Sequence, residues 1–252
     1  MSLFEELIED KVGDEKIVKS FKTKDTLSDN IFEESKGKFT MRDDIRKALI
    51  KISEDFISTL GIEFFIHDIV LTGSLSNYNW SNYSDVDLHI IIDFKESKYN
   101  SDILKEFFDA KKNVWNEKHN IVIKGFDVEL YVQDVNEEHV SSGVYSILNN
   151  KWLISPKKDN PKIDDKMILQ KGEDYMRKID SIIEKGSKGV DVIDDIENMR
   201  KKLKSFRQSG LDVGGEYSYE NLTFKLLRRN GYIHKLLDLK TKLTDKKLSV
   251  AQ

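Results

Sequence analysis

The sequence predicts an α+β protein: a sheet-forming core to about residue 155, preceded by a helical arm and followed by a helical domain. Three observations lead there. The short β-branched runs IHDIVLT (66–72), DVDLHIIID (85–93) and IVIKGFDVELYV (121–132) alternate with stretches of helical periodicity. The chain's two prolines, Pro156 and Pro161, both fall in SPKKDNPKID, which reads as a linker. Beyond that linker the apolar residues follow helical steps. The expected divisions are an arm and helix over 1–62 packed on the core, a core over 63–155, and a helical domain over 156–252 that completes a cleft.

Residues 1–38 are polar, with an apolar patch at Leu3, Phe4, Leu7 and Ile8, and suit a helix and an irregular arm. From Thr40 the spacing turns helical: Ile45, Leu49, Ile52, Phe56 and Leu60 recur at steps of three or four, and Gly61 follows. Thr40 with Asp43 reads as a capping box, aspartate standing in for glutamate. Strand 66–72 runs into Gly73-Ser74, which opens a turn and a short helix. The next strand, from Asp85 to Asp93, is apolar apart from Asp85, Asp87 and His89 before its closing aspartate. Ser101 is expected to cap a helix whose buried stripe is Ile103, Leu104, Phe107, Phe108, the stem of Lys111, Val114 and Trp115. Lys124-Gly125 marks a turn or bulge within 121–132. VYSILNNKWLI (144–154) predicts a β-hairpin, because Asn-Asn tolerates the positive φ of tight turns. In the last part, Ile168, Tyr175, Ile179 and Ile182 form one stripe and Ile193, Ile196, Met199, Leu203 and Phe206 a second. GLDVGG (210–215) is expected to break the pattern before a third helix over about Ser218 to Leu243.

Composition excludes several chemistries. At 252 residues, 38% hydrophobic and 34% charged, the chain can bury a core under a solvated surface. It has no cysteine, which removes disulfides, thiolate nucleophiles and Cys-based zinc sites. HExxH, Gly-x-Ser-x-Gly and Walker-type loops are absent. No apolar run approaches the roughly 20 residues of a membrane span, and MSLFEELIED lacks the form of a secretory signal, so a soluble cytoplasmic protein is expected. The net charge of −4 conceals an asymmetry: 18 Lys/Arg against 29 Asp/Glu in residues 1–150, and 23 against 16 in residues 151–252. An acidic half joined to a basic half suits a site that holds metal ions on one side and a polyanion on the other; soluble Lys-rich helices produce the same balance.

Side chains of a strand alternate faces, so Asp85 and Asp87 point the same way, opposite Val86, Leu88, Ile90 and Ile92. Two carboxylates in a largely apolar strand repel each other and lose hydration, so they need a cation. No Lys or Arg occurs between Gly61 and Ile92. A divalent metal is the natural partner, and all-oxygen ligands favour Mg²⁺ or Mn²⁺. A third carboxylate to complete a two-metal site is expected at Glu129 in DVELYV, with Asp127 on the same face as the alternative. Gly73 and Ser74, ten residues ahead of Asp85, offer backbone N–H groups and a hydroxyl suited to phosphate.

This constellation, GS-x10-DVD followed by a strand bearing VEL, resembles the nucleotidyltransferase superfamily that includes DNA polymerase β. The motif covers residues 69–132, about a quarter of the chain. LTGSLSNYNWSNYSDVDLHI, GVYSILNNKW and ENLTFKLLRRNGYI are also similar to uncharacterised nucleotidyltransferase-like proteins encoded by bacteriophages, which would place the protein in the host cytoplasm. The resemblance implies a nucleotidyltransferase-type mixed β-sheet core with flanking helices. It implies metal ligation by Asp85, Asp87 and Glu129, phosphate binding at Gly73 and Ser74, and transfer of NMP from an NTP with release of pyrophosphate. The acceptor hydroxyl would belong to RNA (a tRNA end among others), a protein, a small molecule or a second nucleotide. A glutamate in the third acidic position departs from the commoner aspartate.

Other residues have two readings. His89 shares the aspartates' face, as a substrate contact or a core histidine. Asn77, Tyr78, Asn79 and Trp80 either line a nucleotide cleft or pack a short helix. Arg229 interrupts the stripe Leu222, Leu226, Ile233, Leu236, with Lys225 one turn earlier. Lys225 and Arg229 are expected to reach the triphosphate across the cleft, or to serve an internal salt bridge. A non-catalytic nucleotide-binding protein that retains the fold is the alternative to the enzyme.

Overall fold

The computed structural model describes residues 12–62, 64–97, 99–138 and 141–250. The patch at Leu3, Phe4, Leu7 and Ile8 lies outside them. The chain divides into two compact units, Thr23–Asn160 and a second that joins the residues up to Lys22 to those from Pro161 onward. The stretch expected as one arm is therefore shared. Residues 12–19 form helix α1 of the second unit, and Ile17, Val18 and Phe21 are buried among C-terminal helices.

The first unit opens with a ribbon, β1 (Phe32–Ser35) paired antiparallel to β2 (Lys38–Met41). Lys36 and Gly37, both at positive φ, make its turn. Phe32 is buried against Tyr145 and Trp152. The ribbon corrects the capping expectation. Thr40 pairs with Glu33 in the ladder, and α2 (Asp43–Ser58) starts after Arg42 with no side-chain cap.

A six-stranded mixed sheet follows, built from β3 (Ile66–Thr72), β4 (Val86–Ile92), β5 (Val122–Ile123), β6 (Phe126–Asp134), β7 (Val144–Ser146) and β8 (Lys151–Ile154), with α3 (Ser101–Lys118) between β4 and β5. The strand order is β5-β6-β4-β3-β7-β8, and β4 and β6 run parallel while the other neighbours are antiparallel. The hairpin expected over 144–154 forms, and the turn or bulge expected at Lys124-Gly125 is also a hairpin turn. Lys124 and Gly125 take positive φ between β5 and β6, and Asn150 does so between β7 and β8. Arg46 of α2 secures the second hairpin through the carbonyls of Ile147 (2.6 Å) and Leu148 (2.8 Å).

The core lies on one face of the sheet. Ile69, Leu71, Val86, Leu88, Ile90 and Leu130 meet Ile45, Leu49 and Phe56 of α2 and Leu104, Phe108 and Trp115 of α3. Ile103 and Val114, expected in that stripe, are exposed. The α3 cap is Asn100 rather than Ser101; its side chain accepts from the N–H groups of Asp102 and Ile103. Asn116 closes the edge of β6 beyond its short pairing with β5. Its amide donates to Leu130 O (3.0 Å), and its carbonyl accepts from Leu130 N (3.1 Å).

The second unit packs α1 with α4 (Asp165–Ser187), α5 (Ile193–Gly214), α6 (Tyr219–Arg229) and α7 (Tyr232–Leu248) around Ile168, Ile179, Ile196, Leu222, Leu226 and Leu236. GLDVG continues α5, because the break comes at Gly215. The single third helix of the sequence reading is two helices, separated where Gly231 turns left-handed at φ 74. The fold is thus α+β with a mixed sheet and a helical C-terminal part. Among the described residues no helix is long and apolar enough to cross a membrane.

Candidate active site

The sheet face opposite the helices carries the acidic residues. Register aligns Thr72 of β3, Asp87 of β4 and Glu129 of β6 in one row, and Val70, His89 and Tyr131 in the next. Neighbouring strands lie about 4.8 Å apart, so Asp87 and Glu129 are direct lateral neighbours. Asp85 precedes β4 on the same side, and all three carboxylates are half-buried. Between the two candidates for the third acidic position, register sets Glu129 beside Asp87. Asp127 is exposed and pairs with Val122 in the β5–β6 hairpin.

Gly73 brings its backbone against this row. Its φ of 72 and ψ of −160 belong to a region open to glycine alone, and a Cβ there would lie 1.7 Å from Asp87 Oδ2. The turn is fastened from two sides. The Asn77 amide donates to Gly73 O (2.7 Å), while Ser142 Oγ donates to Asn77 Oδ1 (2.9 Å). Ser76 Oγ donates to Gly143 O at 2.7 Å. Ser74 Oγ donates to Ser84 Oγ at 2.8 Å, and Ser84 Oγ also accepts from Ser81 N at 2.9 Å. The Gly-Ser turn is thereby tied to the residue before Asp85.

Tyr131 completes the face. Its hydroxyl donates to Glu129 Oε2 at 2.5 Å. Burial pushes the phenol's pKa up, and the bond to Glu129 and the charges of Glu129, Asp87 and Asp85 push the same way. The hydroxyl is therefore a fixed donor that holds one oxygen of Glu129. The His89 ring stacks on Tyr131 at 4.9 Å and its Nδ1 lies 2.8 Å from Gln133 Oε1, so His89 is part of the site wall. Lys112 reaches the Tyr131 ring from α3, with Nζ 4.7 Å from the centroid and 3.0 Å from Asp109 Oδ1.

The remaining expected residues divide. Asn77 braces the turn. Trp80 donates to Thr26 O (2.9 Å), and Tyr78 O accepts from Lys24 N (2.7 Å), so this segment anchors residues 24–26. Lys225 and Arg229 belong to the helical unit and have partners there. Lys225 lies 3.2 Å from Glu216 Oε1; burial depresses its pKa, Glu216 opposes that, and Arg229 and Arg228 add to it. Arg229 donates to Ser20 Oγ (2.8 Å) and lies over the Phe21 ring. Sequence reasoning missed Tyr131, although its spacing from Glu129 puts both on one strand face. It also missed Lys112, Ser84 and Ser142, for which no local pattern exists. Comparison with protein-family models, with curated proteins and with solved structures finds no match.

Proposed function

We propose that the protein is a divalent-metal-dependent nucleotidyltransferase that moves a nucleoside monophosphate from an NTP to a hydroxyl acceptor. The observation that carries this reading is the lateral pairing of Asp87 with Glu129, beside Asp85 and against the side-chain-free Gly73. The nucleotidyltransferase-like order of the same residues, Gly73-Ser74, ten residues, Asp85-Val86-Asp87, then Glu129, agrees with it.

The residues suit Mg²⁺ or Mn²⁺. Three half-buried carboxylates give an all-oxygen donor set. Asp85, Asp87 and Glu129 would hold the metal, which when bound supplies charge neutralisation at the α-phosphate and a lowered pKa for the attacking hydroxyl. The protein's own contributions are positional. Tyr131 fixes one oxygen of Glu129. The Gly73 turn lets the chain approach Asp87 and so brings phosphate close to the carboxylates. Ser74, now on Ser84, would exchange that acceptor for a phosphate oxygen.

The test is to incubate the protein with each of four α-labelled NTPs, Mg²⁺ or Mn²⁺, and total RNA. Label is expected on RNA, on the protein or in a small product, and is expected to vanish with Asp85→Ala. Equal labelling by both proteins overturns the assignment. No labelling together with Mg²⁺-dependent NTP binding favours the non-catalytic reading.

A further inference from the structure

We propose that His67, Asp93 and Glu96 form a second metal site, for a transition-metal dication of the zinc type. It lies at the end of β4 away from Asp85 and Asp87. Asp93 follows Asp87 by six residue steps, about 20 Å at roughly 3.3 Å per residue.

Strand pairing assembles the site. β3 begins where the antiparallel β4 ends, with Ile66 opposite Ile92, so residues 67 and 93 come together. The register slips between Ile66 and Asp68, leaving His67 as the bulged residue, a device that re-aims a side chain. Asp93 Oδ1 accepts from Lys95 N at 2.8 Å, and the turn so formed returns Glu96 toward the histidine. One potential ligand atom from each of the three residues lies within 4.8 Å of the others.

An acidic pair at a strand end is ordinarily a solvated surface feature. The imidazole is what points to a ligand. His67 Nε2 is buried and makes no hydrogen bond, and Phe65 stands edge-on to the ring at 4.9 Å. A desolvated ring nitrogen calls for a partner. Glu96 Oε2 lies 3.6 Å away, beyond the roughly 2.7–3.2 Å of a hydrogen bond. That separation is close to the edge of a metal tetrahedron, about 3.4 Å for bonds of about 2.1 Å. One imidazole nitrogen with two carboxylates favours Zn²⁺ or a neighbouring transition metal over Mg²⁺, which the all-oxygen site suits. Three protein ligands leave a fourth position for water. Bound there, the ion clips the 93–96 turn to the start of β3.

The proposal does not depend on the nucleotidyltransferase reading, and its test removes that site first. ZnCl₂ is titrated calorimetrically into the full chain carrying Asp85→Asn and Asp87→Asn. One equivalent is expected to bind, and the melting temperature to rise with Zn²⁺. Adding His67→Ala is expected to weaken binding at least about tenfold and to abolish the thermal shift. Glu96→Gln, at an exposed residue, is expected to act in the same direction without touching the core, and carries the test if His67→Ala fails to fold. Zinc binding unchanged by Glu96→Gln and His67→Ala, or no binding by the parent, overturns the proposal and leaves only a histidine–carboxylate ion pair.

Discussion

Gly73 and Asp87 meet so closely that residue 73 has no room for a side chain: a Cβ there would lie 1.7 Å from Asp87 Oδ2. The glycine of the Gly-Ser pair therefore serves the aspartate as much as the turn. Gly73→Ala should add backbone strain of about 1–3 kcal/mol and displace the Asp87 carboxylate. Thermal melting should show the loss, and metal-dependent NTP binding measured by calorimetry should disappear. An alanine variant that binds as the wild type does would break the link between the turn and the site.

Asp87→Asn removes one of three neighbouring carboxylates and keeps its shape. NTP transfer should fall by at least about 10³-fold, since on the proposed function a metal ligand is lost. In EDTA the variant should melt at a higher temperature than the wild type, because like-charge repulsion is relieved. A lower melting temperature in EDTA would show that the carboxylate is held by favourable internal contacts.

Tyr131→Phe leaves one Glu129 oxygen without its donor and should cost about 1–3 kcal/mol at neutral pH. Its pH dependence has a definite sign. The phenol's pKa is raised above 10.0 in the folded protein, by burial first and then by Glu129 and the neighbouring aspartates. As pH rises the unfolded chain gives up this proton first. The contribution is therefore whole below about pH 10, and it erodes above that value. Chemical unfolding in EDTA should show wild-type stability falling more steeply above pH 10 than that of Tyr131→Phe. Parallel curves would exclude the coupling.

Arg229→Ala should weaken the helical unit. The guanidinium joins the end of α6 to Ser20 and Phe21, and its loss should cost about 1–3 kcal/mol in chemical unfolding. Arg229→Lys should restore little, since a lysine cannot both stack on Phe21 and donate in the guanidinium's geometry.

Much of the fold is legible locally. The strands Ile66–Thr72 and Val86–Ile92 are rich in β-branched residues, Asn149-Asn150 announces its hairpin, and Lys124-Gly125 marks a turn. The β1–β2 ribbon was hidden because Phe32 and Met41 find their buried partners, Tyr145 and Trp152 among them, more than a hundred residues away. The division of the N-terminal segment was hidden for the same reason. Ile17, Val18 and Phe21 make a short apolar face that does not say which helices will cover it. Asn100 and Ser101 are both good caps, and only backbone geometry chooses between them.

Sequence alone determined the acidic pair, since alternation along a strand puts Asp85 and Asp87 on one face whatever surrounds them. It also showed that no Lys or Arg falls between Gly61 and Ile92. Tertiary structure decided the rest. The parallel register of β6 on β4 put Glu129 and not Asp127 beside Asp87, because a two-residue difference along a strand separates a lateral neighbour from an exposed hairpin position. Strand pairing also brought His67 to Asp93 and Gly73 to Asp87. These contacts depend on which chain segments lie side by side, and spacing within one segment carries no record of that.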